Sequence, residues 1–135
     1  MDDQDFKSEL SASKQTAGLR LLLVEDHVDT ARMLGKLLGL AGYTVRIAID
    51  AAGALALAAC EPFDVMVSDI GLPDATGYQL MNQIRQKYGF AGIAMSGYGM
   101  EEDIRKSQEA GFSEHLVKPI SFAQLDQAIK KLFDA

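Results

Sequence analysis

The chain has a single cysteine, Cys60, so no internal disulfide can staple it; in its alanine-rich apolar stretch this residue reads as a small core side chain. A lone thiol also fits a reducing compartment. No apolar run approaches the roughly 20 residues that span a bilayer. The opening Met-Asp-Asp-Gln-Asp lacks the basic and apolar regions of a signal peptide, so a cytoplasmic protein with no membrane contact is expected. Basic charge is in deficit, with 13 Lys and Arg against 19 Asp and Glu, and it is scattered rather than striped, which argues against direct nucleic-acid binding. Cysteine and histidine do not cluster, and His27 and His115 lack the spacing of a zinc pair. No Gly-x-Gly-x-x-Gly follows the first apolar segment, which removes a dinucleotide-binding loop.

What is present is a regular alternation. With 135 residues, 48% of them hydrophobic, there is enough chain for one domain with a sizeable core. Residues 1 to 18 are polar and aperiodic and are expected to be a tail or linker, leaving a domain over residues 19 to 135. From Leu19 onward, short apolar strands alternate with segments of helical spacing, the pattern of βαβ units around a parallel sheet. Strands are predicted at about Leu19 to Glu25, Tyr43 to Ile49, a run ending at Asp69, Gly92 to Met95 and Glu114 to Val117. The first helix carries Ala31, Leu34, Leu37, Leu38 and Ala41 before Gly42, with Asp29 as its expected N-cap. Asp50 caps a second, from Ala51 to Cys60, which Pro62 ends. A third runs from the loop at Thr76 to about Tyr88, with Leu80, Met81 and Ile84 inward. A fourth covers Met100 to Ala110 and closes at Gly111, and the last opens with a capping box of Ser121 and Gln124.

Glu25, Asp26 and Asp69 each stand where a buried strand is predicted to stop, so a parallel sheet gathers them at its carboxyl edge, where open α/β sheets bind ligands. Two carboxylates about 4 Å apart repel by roughly 4 kcal/mol at an effective dielectric near 20, so three of them require a cation or a raised pKa. All are hard oxygen donors, which suits Mg²⁺ rather than zinc. A lone acid at a strand end is usually a solvated turn, and so is a lone Lys-Pro. It is the conjunction with Ser96 and Lys118-Pro119, both at predicted strand ends, that points to phosphoryl chemistry on a carboxylate.

Glu25-Asp26, then Asp69 followed by Gly71-Leu72-Pro73, then Ser96, then Lys118-Pro119 resemble, in order and spacing, the receiver domain of two-component response regulators, over about Leu19 to Phe133. The resemblance implies a flavodoxin-like, doubly wound (βα)5 fold with a five-stranded parallel sheet of order 2-1-3-4-5. It implies that Asp69 is the phosphoacceptor, that Mg²⁺ is held by Glu25, Asp26, Asp69 and the backbone carbonyl of Gly71, and that Lys118 binds a phosphoryl oxygen. It also implies a cis Lys118-Pro119 peptide and a switch role for Ser96, whose other reading is a turn serine. His115 stands where the family more often has Tyr or Phe. An imidazole there either alters the switch coupling and adds a titratable group or is simply exposed. Gly71 and Tyr98 occupy positions that modulate hydrolysis of the acyl phosphate. Neither is a general base, so unaided hydrolysis with Tyr98 as a shield is expected.

Thr30 and Met33 point away from the core face of the first helix, close to the pocket, where the resemblance implies docking of a histidine kinase or histidine phosphotransfer protein. Met33 is equally readable as an unpartnered side chain. A downstream effector is implied on the face made by the fourth helix, fifth strand and fifth helix, which carries Glu102, Arg105, Lys106 and Lys130, charges that also suit a plain solvated surface. The chain is then a signalling domain rather than an enzyme, either stand-alone or the receiver of a hybrid kinase. A phosphorylation-independent protein-binding module is the alternative. A phosphatase of the haloacid dehalogenase type needs a second Asp where Gly71 stands. An FMN binder needs a Ser, Thr and Gly-rich loop where Glu25-Asp26-His27 would repel phosphate.

Overall fold

Strands and helices alternate without exception along residues 18–133, which a computed structural model describes. The tail expected over residues 1 to 18 lies, Gly18 apart, outside the described residues. The elements are β1 Arg20–Val24, α1 Val28–Leu40, β2 Thr44–Ala48, α2 Ala51–Cys60, β3 Val65–Asp69, α3 Gly77–Lys87, β4 Ala91–Ser96, α4 Glu101–Ala110, β5 Glu114–Val117 and α5 Phe122–Phe133. Every strand pairing is parallel and the order is β2-β1-β3-β4-β5, the doubly wound flavodoxin-like sheet expected. Among the described residues no helix is long and apolar enough to cross a membrane.

The central strands are continuously apolar because helices cover both faces of the sheet. Alternate side chains divide between them. Leu21, Leu23, Val65, Val67, Ile93 and Met95 meet Leu34 and Leu38 of α1 and Leu125 and Ile129 of α5. Leu22, Val24, Met66 and Ala94 face the other way, toward Ala54 and Ala58 of α2 and Leu80, Met81 and Ile84 of α3. Helix α4 is different: its buried residue is Ser107, and Ile104 is 37% exposed. Apolar burial therefore holds this helix weakly.

Local chemistry sets the boundaries. α1 ends in a Schellman motif, in which Gly42, at φ 106°, donates to the Gly39 carbonyl and Tyr43 donates to that of Leu38. Asp50 accepts the Gly53 N–H at 2.7 Å, and Ser121 and Gln124 form the expected box. A second box, Thr76 with Gln79, opens α3. Asp74, in the loop after β3, accepts the N–H groups of Ala51 and Ala52 at 2.9 Å, so it adds a cap to α2 from outside, and these bonds hold its carboxyl below the usual value.

Three expectations are corrected. Asp29 is not the N-cap of α1: His27 takes that place in an extended conformation without a side-chain cap, and Asp29 sits in the first turn, where its charge complements the helix dipole. Cys60 is exposed rather than buried. The buried stripe of α2 is Ala51, Ala54 and Ala58, and a residue two positions beyond Ala58 is turned about 200° away from it. Leu37, 39% exposed, likewise lies off the stripe of Ala31, Leu34 and Leu38.

Gly77 begins α3 directly against the backbone that follows the β3 acid. A Cβ there would stand 2.5 Å from the Asp69 carbonyl oxygen and 2.9 Å from Ile70 Cα. Backbone cannot swing aside as a flexible side chain does, so Gly77→Ala is expected to lower stability by about 1–3 kcal/mol in urea unfolding. An unchanged midpoint would show that α3 can slide off this contact at no cost.

Candidate functional site

Parallel register assembles the site. Val24 is paired with Ser68, Asp69 with Met95 and Ser96 with Val117, so Glu25, Asp69, Ser96 and Lys118 emerge side by side at the carboxyl edge, around the point where the strand order reverses between β1 and β3. The Lys118 N–H donates to the Ser96 carbonyl at 2.7 Å, and the Lys118-Pro119 peptide is cis, as expected. From there the Lys118 ammonium reaches past β4 to Asp69 Oδ2 at 2.9 Å and Glu25 Oε1 at 3.4 Å.

These charges are poorly hydrated. Glu25 is 1% exposed and Asp69 6%. Burial, joined by the hydrogen bond and charge of Asp69, pushes the Glu25 carboxyl up to about 7, and Lys118 offsets only part of this. Burial works against the Lys118 ammonium too, but Asp69 and Glu25 outweigh it and raise its pKa. Glu25 Oε2 and Asp26 Oδ1 are buried without hydrogen-bond partners. One donor atom each from Glu25, Asp26, Asp69 and His27 lie within 4.8 Å of one another. Clustered hard oxygens with unused lone pairs and one compensating ammonium fit a small divalent cation. Gly71, two residues past Asp69, pairs in a bridge with Thr76 that closes the loop below the pocket's acid.

His27, which by spacing does not pair with distant His115, meets its own neighbours in the chain. Its Nδ1 lies 3.4 Å from Asp26 Oδ1 and 3.6 Å from Glu25 Oε1. The available signal was simply its place after Asp26.

Ser96 is the last residue of β4 rather than the one after it. Its Oγ accepts the Tyr98 N–H at 2.9 Å, the Tyr98 carbonyl is 2.8 Å from His115 Nε2, and His115 Nδ1 is 2.6 Å from Ser107 Oγ. A carbonyl only accepts, so Nε2 carries the proton, and in the neutral ring Nδ1 accepts from the Ser107 hydroxyl. His115 is thus half-buried and bonded on both nitrogens, not an exposed side chain. Ser107 carried no signal in sequence, since a serine inside a helix is ordinary. The Tyr98 side chain is exposed.

Thr30 and the exposed Met33 share a cleft with Met95, Pro119 and Ile120 that opens beside Glu25 and Lys118. On α4, Arg105 and Lys106 pair with Glu102 and Glu109, and on α5 Lys130 pairs with Asp126, ion pairs local to their helices.

A family model described as response regulator receiver domain matches residues 21–130. The sensor histidine kinase RcsC of Salmonella typhi is 28% identical over 134 residues, which cover 96% of this chain and 14% of that protein. The transcriptional regulatory protein CusR of Escherichia coli K12 is 32% identical over 115 residues, covering 84% of this chain and 51% of that one. The chain thus spans about a seventh of the first relative and half of the second. Among solved structures, a CheY-like response regulator receiver domain protein from Methanospirillum hungatei JF-1 superimposes with a TM-score of 0.81 at 30% identity, covering 87% of this chain and 95% of that one.

The Glu25 shift has a definite sign. An unfolded chain releases this proton near 4.5 and the metal-free folded chain near 7, so the folded state holds more protons between those values. Stability of the metal-free protein is therefore expected to fall as pH rises from about 4.5 to about 7, by a few kcal/mol at most. Thermal melts of the native chain and of Glu25→Gln test this. The variant should have a flatter profile, and parallel profiles would show that Glu25 is ionised throughout.

Proposed function

This chain belongs to the response regulator receiver domain family of two-component signalling, and we propose that it takes a phosphoryl group from a phosphohistidine onto Asp69 in a Mg²⁺-dependent reaction. The observation that carries this reading is the Lys118 ammonium bridging Asp69 and Glu25 beside two buried, unpartnered carboxylate oxygens. In the transfer an Asp69 oxygen attacks phosphorus. The new O–P bond forms as the N–P bond of the phosphohistidine breaks, and the leaving imidazole takes up a proton. Glu25, Asp26, Asp69 and the Gly71 carbonyl would hold Mg²⁺, which when bound neutralises the phosphoryl oxygens. Lys118, a mobile point charge already on Asp69, turns to one of those oxygens. Thr30 and Met33 then serve a histidine kinase or histidine phosphotransfer protein docking over the cleft. The downstream effector meets α4, β5 and α5, and the setting is cytoplasmic.

The switch follows from the hydrogen-bond chain. When Ser96 Oγ turns to the phosphoryl group it gives up the Tyr98 N–H, and the loop it held is the one His115 ties to Ser107. Ser107 is the buried residue of α4, so the signal passes to that helix through polar contacts rather than through a packed aromatic ring.

Intact mass after incubation with Mg²⁺ and a small phosphodonor tests the chemistry. One added phosphoryl group is expected on the native chain and none on Asp69→Asn, and Lys118→Ala should slow its formation on the order of 100-fold. No modification of the native chain, with Mg²⁺ nevertheless bound, would replace this reading with a binding module that works without phosphorylation. For the switch, each hydrogen bond is worth about 1 kcal/mol, so Ser107→Ala and His115→Phe should speed amide exchange across residues 97–104 roughly fivefold. Unchanged exchange in both variants would remove His115 and Ser107 from the switch.

A further inference from the structure

We infer that His27 makes the acidic pocket a mixed nitrogen and oxygen metal centre that takes an imidazole-binding transition-metal dication, such as Zn²⁺ or Cu²⁺, in competition with Mg²⁺. The inference rests on the metal-centre reading of the pocket and adds a donor to it. His27 is 72% exposed, yet its ring is turned onto the carboxylates. It is not there to cap α1, because it holds the N-cap position without a side-chain hydrogen bond. Its separations from Asp26 Oδ1 and Glu25 Oε1, 3.4 and 3.6 Å, are too long for good hydrogen bonds. The His27 to Asp26 separation equals the edge of a coordination tetrahedron, about 3.4 Å for donors at about 2.1 Å from zinc, and the donor atoms as a set, within 4.8 Å of one another, would draw in around the ion.

A second observation is independent of the histidine. Glu25, with its side chain 1% exposed, keeps Oε2 buried and unpartnered, and so is Oδ1 of Asp26, the atom that His27 faces. Lys118 compensates Asp69 Oδ2 and Glu25 Oε1, and among the described ion pairs it does not reach Asp26. The charge left over is therefore on the His27 side. Imidazole nitrogen binds Zn²⁺ and its first-row neighbours far better than Mg²⁺, which prefers oxygen and retains its waters. His27 thus adds little to Mg²⁺ binding and much to binding of the transition metal, and a metal so held ties the start of α1 to the phosphoacceptor pocket.

Calorimetric titration of the full chain with Zn²⁺ and with Mg²⁺, for the native protein, His27→Ala and Asp26→Asn, tests this. The His27 side chain is exposed and caps nothing, and its backbone carbonyl, which accepts the Ala31 N–H, is kept in the alanine variant, so loss of the imidazole leaves the fold intact. Expected is a Zn²⁺ affinity weakened on the order of 10- to 100-fold in His27→Ala, with Mg²⁺ changed by no more than about twofold and the two metals competing. With Cu²⁺ as probe, pulsed electron paramagnetic resonance should show imidazole ¹⁴N coupling in the native chain and lose it in His27→Ala. Zn²⁺ affinity indifferent to His27, or no ¹⁴N coupling, overturns the inference even while Mg²⁺ still binds through Asp26. Failure of both metals to bind, with Asp26→Asn changing nothing, overturns the metal-centre reading and this inference together.

Discussion

Negative charge concentrated at one edge of a parallel sheet is the constraint around which the rest of the molecule is arranged. Two of the pocket's carboxyl groups are almost wholly buried, and one ammonium, Lys118, is set against them. The balance is incomplete, so Glu25 keeps its proton up to about 7 and two oxygens lack partners. A site in that condition favours added positive charge. A cation bound there would relieve that uncompensated charge.

Holding such a site requires a platform that does not yield. β1, β3 and β4 supply it, with side chains buried on both faces, and α3 abuts the backbone of Asp69 so closely that a single added carbon would clash. The opposite requirement falls on α4. With one buried serine and a partly exposed isoleucine, it lacks the apolar stripe that fixes the other helices, and hydrogen bonds through His115 take its place. Polar contacts of about 1 kcal/mol each are easily exchanged, whereas a packed core is not. The molecule thus separates a rigid acidic pocket from a lightly held helix.

Much of this was legible in the chain. The alternation of apolar strands with helical segments follows from backbone periodicity, so the five units and the acids at their ends were readable, as were Asp50 and Ser121 as caps, because capping acts over three residues. The Thr76 and Gln79 box carries the same signal as that of Ser121. Asp29 is the better capping residue by type, but the turn after Asp26 starts the helix at Val28, ahead of it. Cys60 has apolar neighbours in sequence, but in a helix two residues of offset reverse the face.

What the sequence by itself determined was the order of elements, the two-sided burial of the central strands and the arrival of Glu25, Asp26, Asp69, Ser96 and Lys118 at one edge, since all of these follow from local periodicity and strand termini. Tertiary structure alone decided which atoms meet. Lys118 reaches Asp69 across 49 positions and Glu25 across 93, Asp74 caps a helix 22 residues before it, and Ser107 finds His115 in the next strand. Those contacts depend on the register of neighbouring strands and the angle at which each helix packs, and both are set by the whole core rather than by any segment of the chain.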